Sequence, residues 1–178
     1  MSTINPGAGR FTKQIPAGDD RERDVCDTCG YVNYVNPKIV VGSIVTWNES
    51  ILLCRRAIEP RLGFWTLPAG FMEERETAEE GAMREAWEEA RARIAIDALL
   101  AVYSVPRISQ VQLMYRARLL DPNIAPGPES LDVMLTRWED IPWSELAFPS
   151  VKWALEHFRA FQEGACAPFA NPEGAIYR

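Results

Sequence analysis

The chain is short of soft metal ligands: it has one histidine, His157, and four cysteines among 178 residues. Cys26 and Cys29 form one close pair, while Cys54 and Cys166 stand alone. That scatter argues against a disulfide framework. No run of 18 apolar residues occurs, so no membrane-spanning helix is expected. Positive charge is not in excess either. The formal charge is −6 and the pI is near 4.9, which disfavours nucleic-acid binding through phosphate neutralisation. The first residues show no basic stretch leading into an apolar core, so no secretory signal is expected and the cytoplasm is the default compartment. Internal repeats and low-complexity tracts are absent as well. What is present is a 47% hydrophobic composition, enough to bury the core of one domain with a small appendage.

The most informative stretch runs from Trp65 to Arg91. A turn on Pro68 and Gly70 leads through an acidic loop to Thr77, which has capping-box spacing to Glu80 and predicts a helix from there to about Ala90. At about 100° per residue, Glu85, Glu88 and Glu89 fall in one sector, with Ala82, Met83, Ala86, Trp87 and Ala90 in the neighbouring, core-facing one. Three carboxylates so placed repel one another, and hard cations such as Mg²⁺ or Mn²⁺ would relieve that repulsion. The plainer reading is a solvated acidic helix face.

The spacing decides between them. Gly70, Glu76, Arg84-Glu85 and Glu88-Glu89 stand at the fixed intervals of the Nudix box, which the stretch resembles. One position departs from that pattern: Arg91 occupies the place of the box's last glycine. A glycine there serves a left-handed helix end, so the change bears on local geometry rather than on the carboxylates. The resemblance covers residues 38–163. It implies an α/β (α+β) Nudix fold, a mixed β-sheet sandwiched between helices, and hydrolysis of nucleoside diphosphates linked to another moiety. It also implies Mg²⁺, replaceable by Mn²⁺, on Glu85, Glu88 and Glu89 with the carbonyl of Gly70 or Ala69 as a further ligand. The water's proton would pass to Glu89 or to Glu129 in the Pro/Gly loop 121–130. Glu76 and Arg84 would hold loop to helix.

Upstream, Cys26-Asp-Thr-Cys29 with the surrounding segment resembles the zinc ribbon that precedes one Nudix subgroup. By that subgroup's spacing the first knuckle would fall at Ile4 and Gly7. Zinc needs four ligands, so Cys26 and Cys29 form a half-site and bound Zn²⁺ is not expected. Residues 1–37 are therefore read as a degenerate ribbon-like segment and 38–178 as the Nudix domain. Within the latter, 39–47 and 51–56 read as a hairpin, with strands expected at 94–104, 111–119 and 131–138. A last amphipathic helix carries Val151, Ala154, Leu155, Phe158 and Phe161.

Arg55 and Arg56 end a strand just before the box and suit phosphate oxygens. Trp65, Tyr103 and Tyr115 are candidates to stack on a base or flavin, with ordinary core as the alternative. Subgroup features point to FAD, giving FMN and AMP, ahead of ADP-ribose or NADH. The competing expectation is a Nudix-fold sensor that binds a dinucleotide without cleaving it. Family analogy adds a homodimer, and a small-molecule dinucleotide is the only other partner implied.

Overall fold

The computed structural model describes residues 9–174. The chain divides into two compact units, one ending at Asn36 and the other starting at Pro37. The first is a three-stranded antiparallel sheet of β1 (Phe11–Gln14), β2 (Arg23–Cys26) and β3 (Val32–Asn33). Ile4 and Gly7, the expected place of a first knuckle, lie outside the described residues.

The second unit is built on one mixed sheet. Its strands are β4 (Lys38–Trp47), β5 (Ser50–Arg56), β8 (Ile94–Val105), β9 (Gln110–Leu119) and β10 (Ser130–Arg137), in the order β10-β5-β4-β9-β8. β4 and β9 run parallel, and the remaining neighbours on this path are antiparallel. The β4–β5 hairpin pairs only at its tip, Thr46 with Ile51 and Trp47 with Ser50. Beyond the tip the strands splay, and two short strands fill the fork. β6 (Trp65–Thr66) pairs with β5, and β7 (Ala69–Phe71) pairs with β4. The Pro68 turn is thereby held in the opening between two core strands.

Alternation along β4 and β5 supplies two cores, one per sheet face. Val45, Leu52 and Cys54 pack with Ala86 and Ala90 of α1 (Ala78–Ala90). Ile44, Ile51 and Leu53 face the other way and pack with Ala154, Leu155 and Phe158 of α2 (Pro149–Gln162). The sheet is thus held between two helices, the architecture the sequence resemblance implies. Each fully buried aliphatic side chain, such as Leu53 or Leu155, contributes about 1.5–3 kcal/mol.

α1 starts with the expected capping box: Thr77 accepts from the Glu80 amide, and the Glu80 side chain accepts from the Thr77 amide. Its buried face differs from the expected one. Gly81, Ala82, Glu85, Ala86, Glu89 and Ala90 are buried, whereas Met83 and Trp87 are exposed at 37% and 44%. Small residues let the helix lie close to the sheet; a Cβ at Gly81 would stand 2.8 Å from Val41 Cγ2. That close approach turns two of the three glutamates inward and leaves the large apolar side chains outside.

Candidate active site

Arg84 is the hub of the carboxylate cluster. Its Nε and Nη2 grip Glu76 in a two-pronged contact at 3.0 and 2.9 Å. Its Nη1 donates to Glu85 at 2.7 Å and Glu88 at 2.9 Å, and Nη2 reaches the Phe71 carbonyl at 2.9 Å. Glu76 also accepts from the Glu73 amide at 2.6 Å. These bonds hold the Glu76 carboxyl below the usual range, chiefly through Arg84. One planar cation therefore fixes the acidic loop, the strand after Gly70 and the helix in a single arrangement.

The three helix glutamates occupy different environments. Glu88 is exposed, with Glu85 and Glu89 buried beneath it. Burial raises the Glu85 carboxyl, with Arg84 opposing and Glu88 and Glu129 adding to the rise. Burial also pushes Glu89 up to about 8; the neighbouring charge of Glu85 adds to this, while the Ala69 amide and Arg56 counter it. Its Oε2 is buried without a hydrogen-bond partner among the described residues, an arrangement that folded proteins rarely leave unused.

Beside Glu89 lie two groups that the sequence reading assigned elsewhere or passed over. Cys54 reads from sequence as core and is buried, but its thiol also interacts with Glu89 and Ser130, and burial raises its pKa. Gly127 is the other. The loop 121–130 is pinned to the end of α1 by Ala125 N–H to the Ala90 carbonyl (3.0 Å) and Gly127 N–H to the Glu89 carbonyl (2.9 Å). A Cβ at Gly127 would collide with the Glu88 carbonyl. The Pro-Gly-Pro run around Gly127 was the available signal for so close an approach. This clamp brings exposed Glu129 into electrostatic range of Glu85 and Glu89.

The comparisons with known proteins fit this geometry. A model described as the NUDIX domain matches residues 36–161, and one described as Nudix N-terminal matches residues 8–35. The chain belongs to the Nudix family. It is 29% identical over 160 residues to an ADP-ribose pyrophosphatase of Methanocaldococcus jannaschii, covering 88% of this chain and 89% of that protein. Its fold is similar to a crystal structure of a NUDIX hydrolase from Nitrosomonas europaea (TM-score 0.88, 44% identity, covering 96% and 98% of the two chains). An ADP-ribose pyrophosphatase from Streptococcus suis shares the fold at 18% identity (TM-score 0.62, 76% and 100% coverage). The chain is accordingly a Nudix pyrophosphatase-type enzyme.

Nudix hydrolases generally use divalent metals, and the residues here suit such an ion. Their carboxylates offer oxygen donors, including the unpartnered Glu89 Oε2. Gly70 leaves room beside the Glu85 carboxylate, where a Cβ would collide with it. The single common point expected for the three carboxylates is not formed. Among the described residues no three acidic, thiol or imidazole side chains close around one position, because Arg84 draws Glu85 and Glu88 to itself while Glu89 turns toward Ala69 and Cys54.

The remaining candidates separate clearly. Arg56 is half-buried, stacks on Phe148 at 5.1 Å and acts on the charge of Glu89. Arg55 is exposed, bonds the Gly63 carbonyl at 2.9 Å and lies over Trp65 at 5.9 Å. Trp65, Tyr103 and Tyr115, candidates for stacking with ordinary core as the alternative, are 8%, 0% and 5% exposed. Tyr103 has no open face, and its hydroxyl meets His157 Nδ1 at 2.8 Å. Trp65 and Tyr103 pack in the core on the α2 side of the sheet, and Tyr115 packs with Val41 and Ala82 on the α1 side.

Arg91 takes the left-handed conformation (φ 52°, ψ 21°) that the motif's glycine would supply, and its amide closes the helix on Ala86 and Trp87. The substitution leaves the helix end in the left-handed form of a glycine cap. In the N-terminal unit, Cys26 is buried and Cys29 exposed. Backbone N–H donation, first from Cys29, lowers the Cys26 thiol. Cys166 is free and exposed.

Proposed function

We propose that this chain hydrolyses the pyrophosphate bond of ADP-ribose to AMP and ribose 5-phosphate, with FAD and NADH as secondary substrates. The observation that carries the hydrolytic reading is the pair of buried carboxylates, Glu85 and Glu89, with one Glu89 oxygen left unpartnered. A sensor that only binds a dinucleotide gains nothing from burying two ionisable carboxyls side by side. The similarity to the ADP-ribose pyrophosphatase of Methanocaldococcus jannaschii moves ADP-ribose ahead of FAD.

Glu85, Glu88 and Glu89, with the Gly70 carbonyl as a further candidate, would hold Mg²⁺, which would supply neutralisation of the diphosphate charge and acidification of a bound water. Arg84 sets the carboxylates in place by gripping Glu76. Glu89 is the first candidate to take the proton of the attacking water, and Glu129 the second. Arg56 is the candidate for a phosphate oxygen, and Arg55 stands further out. The substrate is a small molecule, the compartment proposed is the cytoplasm, and a homodimer follows from family analogy alone.

The test is a substrate panel of ADP-ribose, FAD, NADH and coenzyme A with Mg²⁺, with products separated by chromatography and Glu89→Gln run in parallel. The expected result is AMP and ribose 5-phosphate from ADP-ribose, lost in the variant. Tight binding of one compound with no cleavage of any would overturn the reading in favour of a sensor.

A further inference from the structure

Trp87 lies within the box helix but outside the core, 44% exposed. Two shallow, open clefts adjoin it and share both Trp87 and Arg93. One, of about 390 Å³, carries the charged groups, with Arg91, Arg93, Asn123 and Asp121 in its wall beside the apolar Ile124 and Ala125. The other, of about 420 Å³, is apolar, lined by Met83, Ile94 and Leu120. The guanidinium carbons of Arg91 and Arg93 stand 5.6 and 5.8 Å from the Trp87 ring centre. Stacking on an indole fixes the plane of a guanidinium and leaves its N–H edge free for an oxyanion.

Arg91 spends one donor on the Trp87 carbonyl at 3.3 Å. Neither arginine forms an ion pair with a carboxylate among the described residues; the ion pairs of neighbouring segments involve Arg84 and Arg118 instead. Asp121 is the one opposing charge in the cleft, and its Oδ1 is engaged by the Asn123 amide at 3.0 Å. An acidic chain thus concentrates two unpaired cations beside an exposed ring and an apolar cleft. It does so with an arginine in a left-handed conformation (φ 52°) that glycine adopts without strain.

We propose that the Trp87 surface is a second nucleotide site, which takes a nucleoside monophosphate with its base in the apolar cleft and its phosphate on Arg91 and Arg93. The choice of AMP as the ligand rests on the hydrolytic reading above, in which AMP is a product. The site has a route to the active centre. Asn123 and Ile124 line the cationic cleft and belong to the loop that is pinned through Ala125 and Gly127 to the end of α1 and carries Glu129. Product bound at Trp87 touches the segment that places this carboxylate.

The test is fluorine NMR of the full chain labelled with 5-fluorotryptophan, the Trp87 signal being assigned through Trp87→Phe. AMP, adenosine and inorganic phosphate are titrated separately. The expected result is saturable movement of the Trp87 signal with AMP, weakened about tenfold or more in Arg91→Gly/Arg93→Gln, the loss of two charge-assisted contacts. The other tryptophan signals of that variant report whether it is folded. A Trp87 signal that does not move with AMP, that moves equally in a folded variant, or that responds to phosphate alone with the same affinity overturns the assignment. The readout needs no turnover, so a saturable Trp87 response in a protein inactive on ADP-ribose supports the site while overturning only the hydrolytic reading.

Discussion

Among the site's residues, Glu89 is the one whose chemistry is most altered by the fold. In the folded chain its carboxyl holds its proton up to about pH 8, against an ordinary value of 4.5. Between those values the folded state binds more protons than the unfolded state, so stability falls as pH rises. Glu85 is raised by burial too and adds to the same slope. Measured in chelator, the thermal midpoint should therefore decline from about pH 4.5 toward pH 8, the interval set by Glu89. Glu89→Gln, neutral at every pH, should flatten that decline and be the more stable protein above pH 8, while losing about 10²–10⁴-fold in turnover with Mg²⁺. A variant that keeps the full slope would show that Glu89 is not buried as described.

At the scale of elements, the decisive contact is between the end of α1 and the loop that follows β9. Gly127→Ala would drive a methyl group into the Glu88 carbonyl. Overpacking of this kind costs about 1–3 kcal/mol, and it would lift the segment carrying Glu129. Chemical denaturation and turnover should both report the loss, and an unchanged midpoint with full activity would contradict the clamp. Arg91→Gly tests the neighbouring helix end in the opposite direction. Relief of a left-handed non-glycine residue should stabilise the chain by about 1 kcal/mol, read as a raised thermal midpoint. These elements were unequally legible in the sequence. The capping box, the β4–β5 hairpin and α2 depend on neighbours within a few residues, and they stand where the pattern puts them. The inner face of α1 does not. Periodicity ranks Met83 and Trp87 as core, but the fork between β4 and β5 receives a helix of small side chains, so the alanine stripe goes in and takes Glu85 and Glu89 with it. The Cys54–Glu89 contact and the Gly127 clamp join segments far apart in sequence; the Pro-Gly-Pro run marks Gly127 as a point of close approach, but no local pattern names either partner.

For the molecule as a whole, the carboxylate cluster is a charge problem that folding leaves unsolved. Glu85, Glu88 and Glu89 sit on one helix with Glu129 in range, in a chain of formal charge −6, and of these carboxylates Arg84 directly joins Glu85 and Glu88. Box spacing makes this cluster readable in the sequence as a metal-using hydrolase, but not the substrate, which is set by residues outside the box. A ligand that binds the folded state alone stabilises it by about 2.7 kcal/mol at a hundredfold excess over its Kd. Adding Mg²⁺ to the chelator-treated protein should therefore raise the thermal midpoint saturably. The double variant Glu85→Gln/Glu89→Gln should begin from a higher metal-free midpoint above about pH 8, where both buried carboxyls of the parent are ionised, and should gain little from Mg²⁺. Sodium chloride at matched ionic strength separates site binding from general screening. An equal rise in both proteins would place the cation elsewhere on this acidic surface and would remove Glu85 and Glu89 from the metal-binding set.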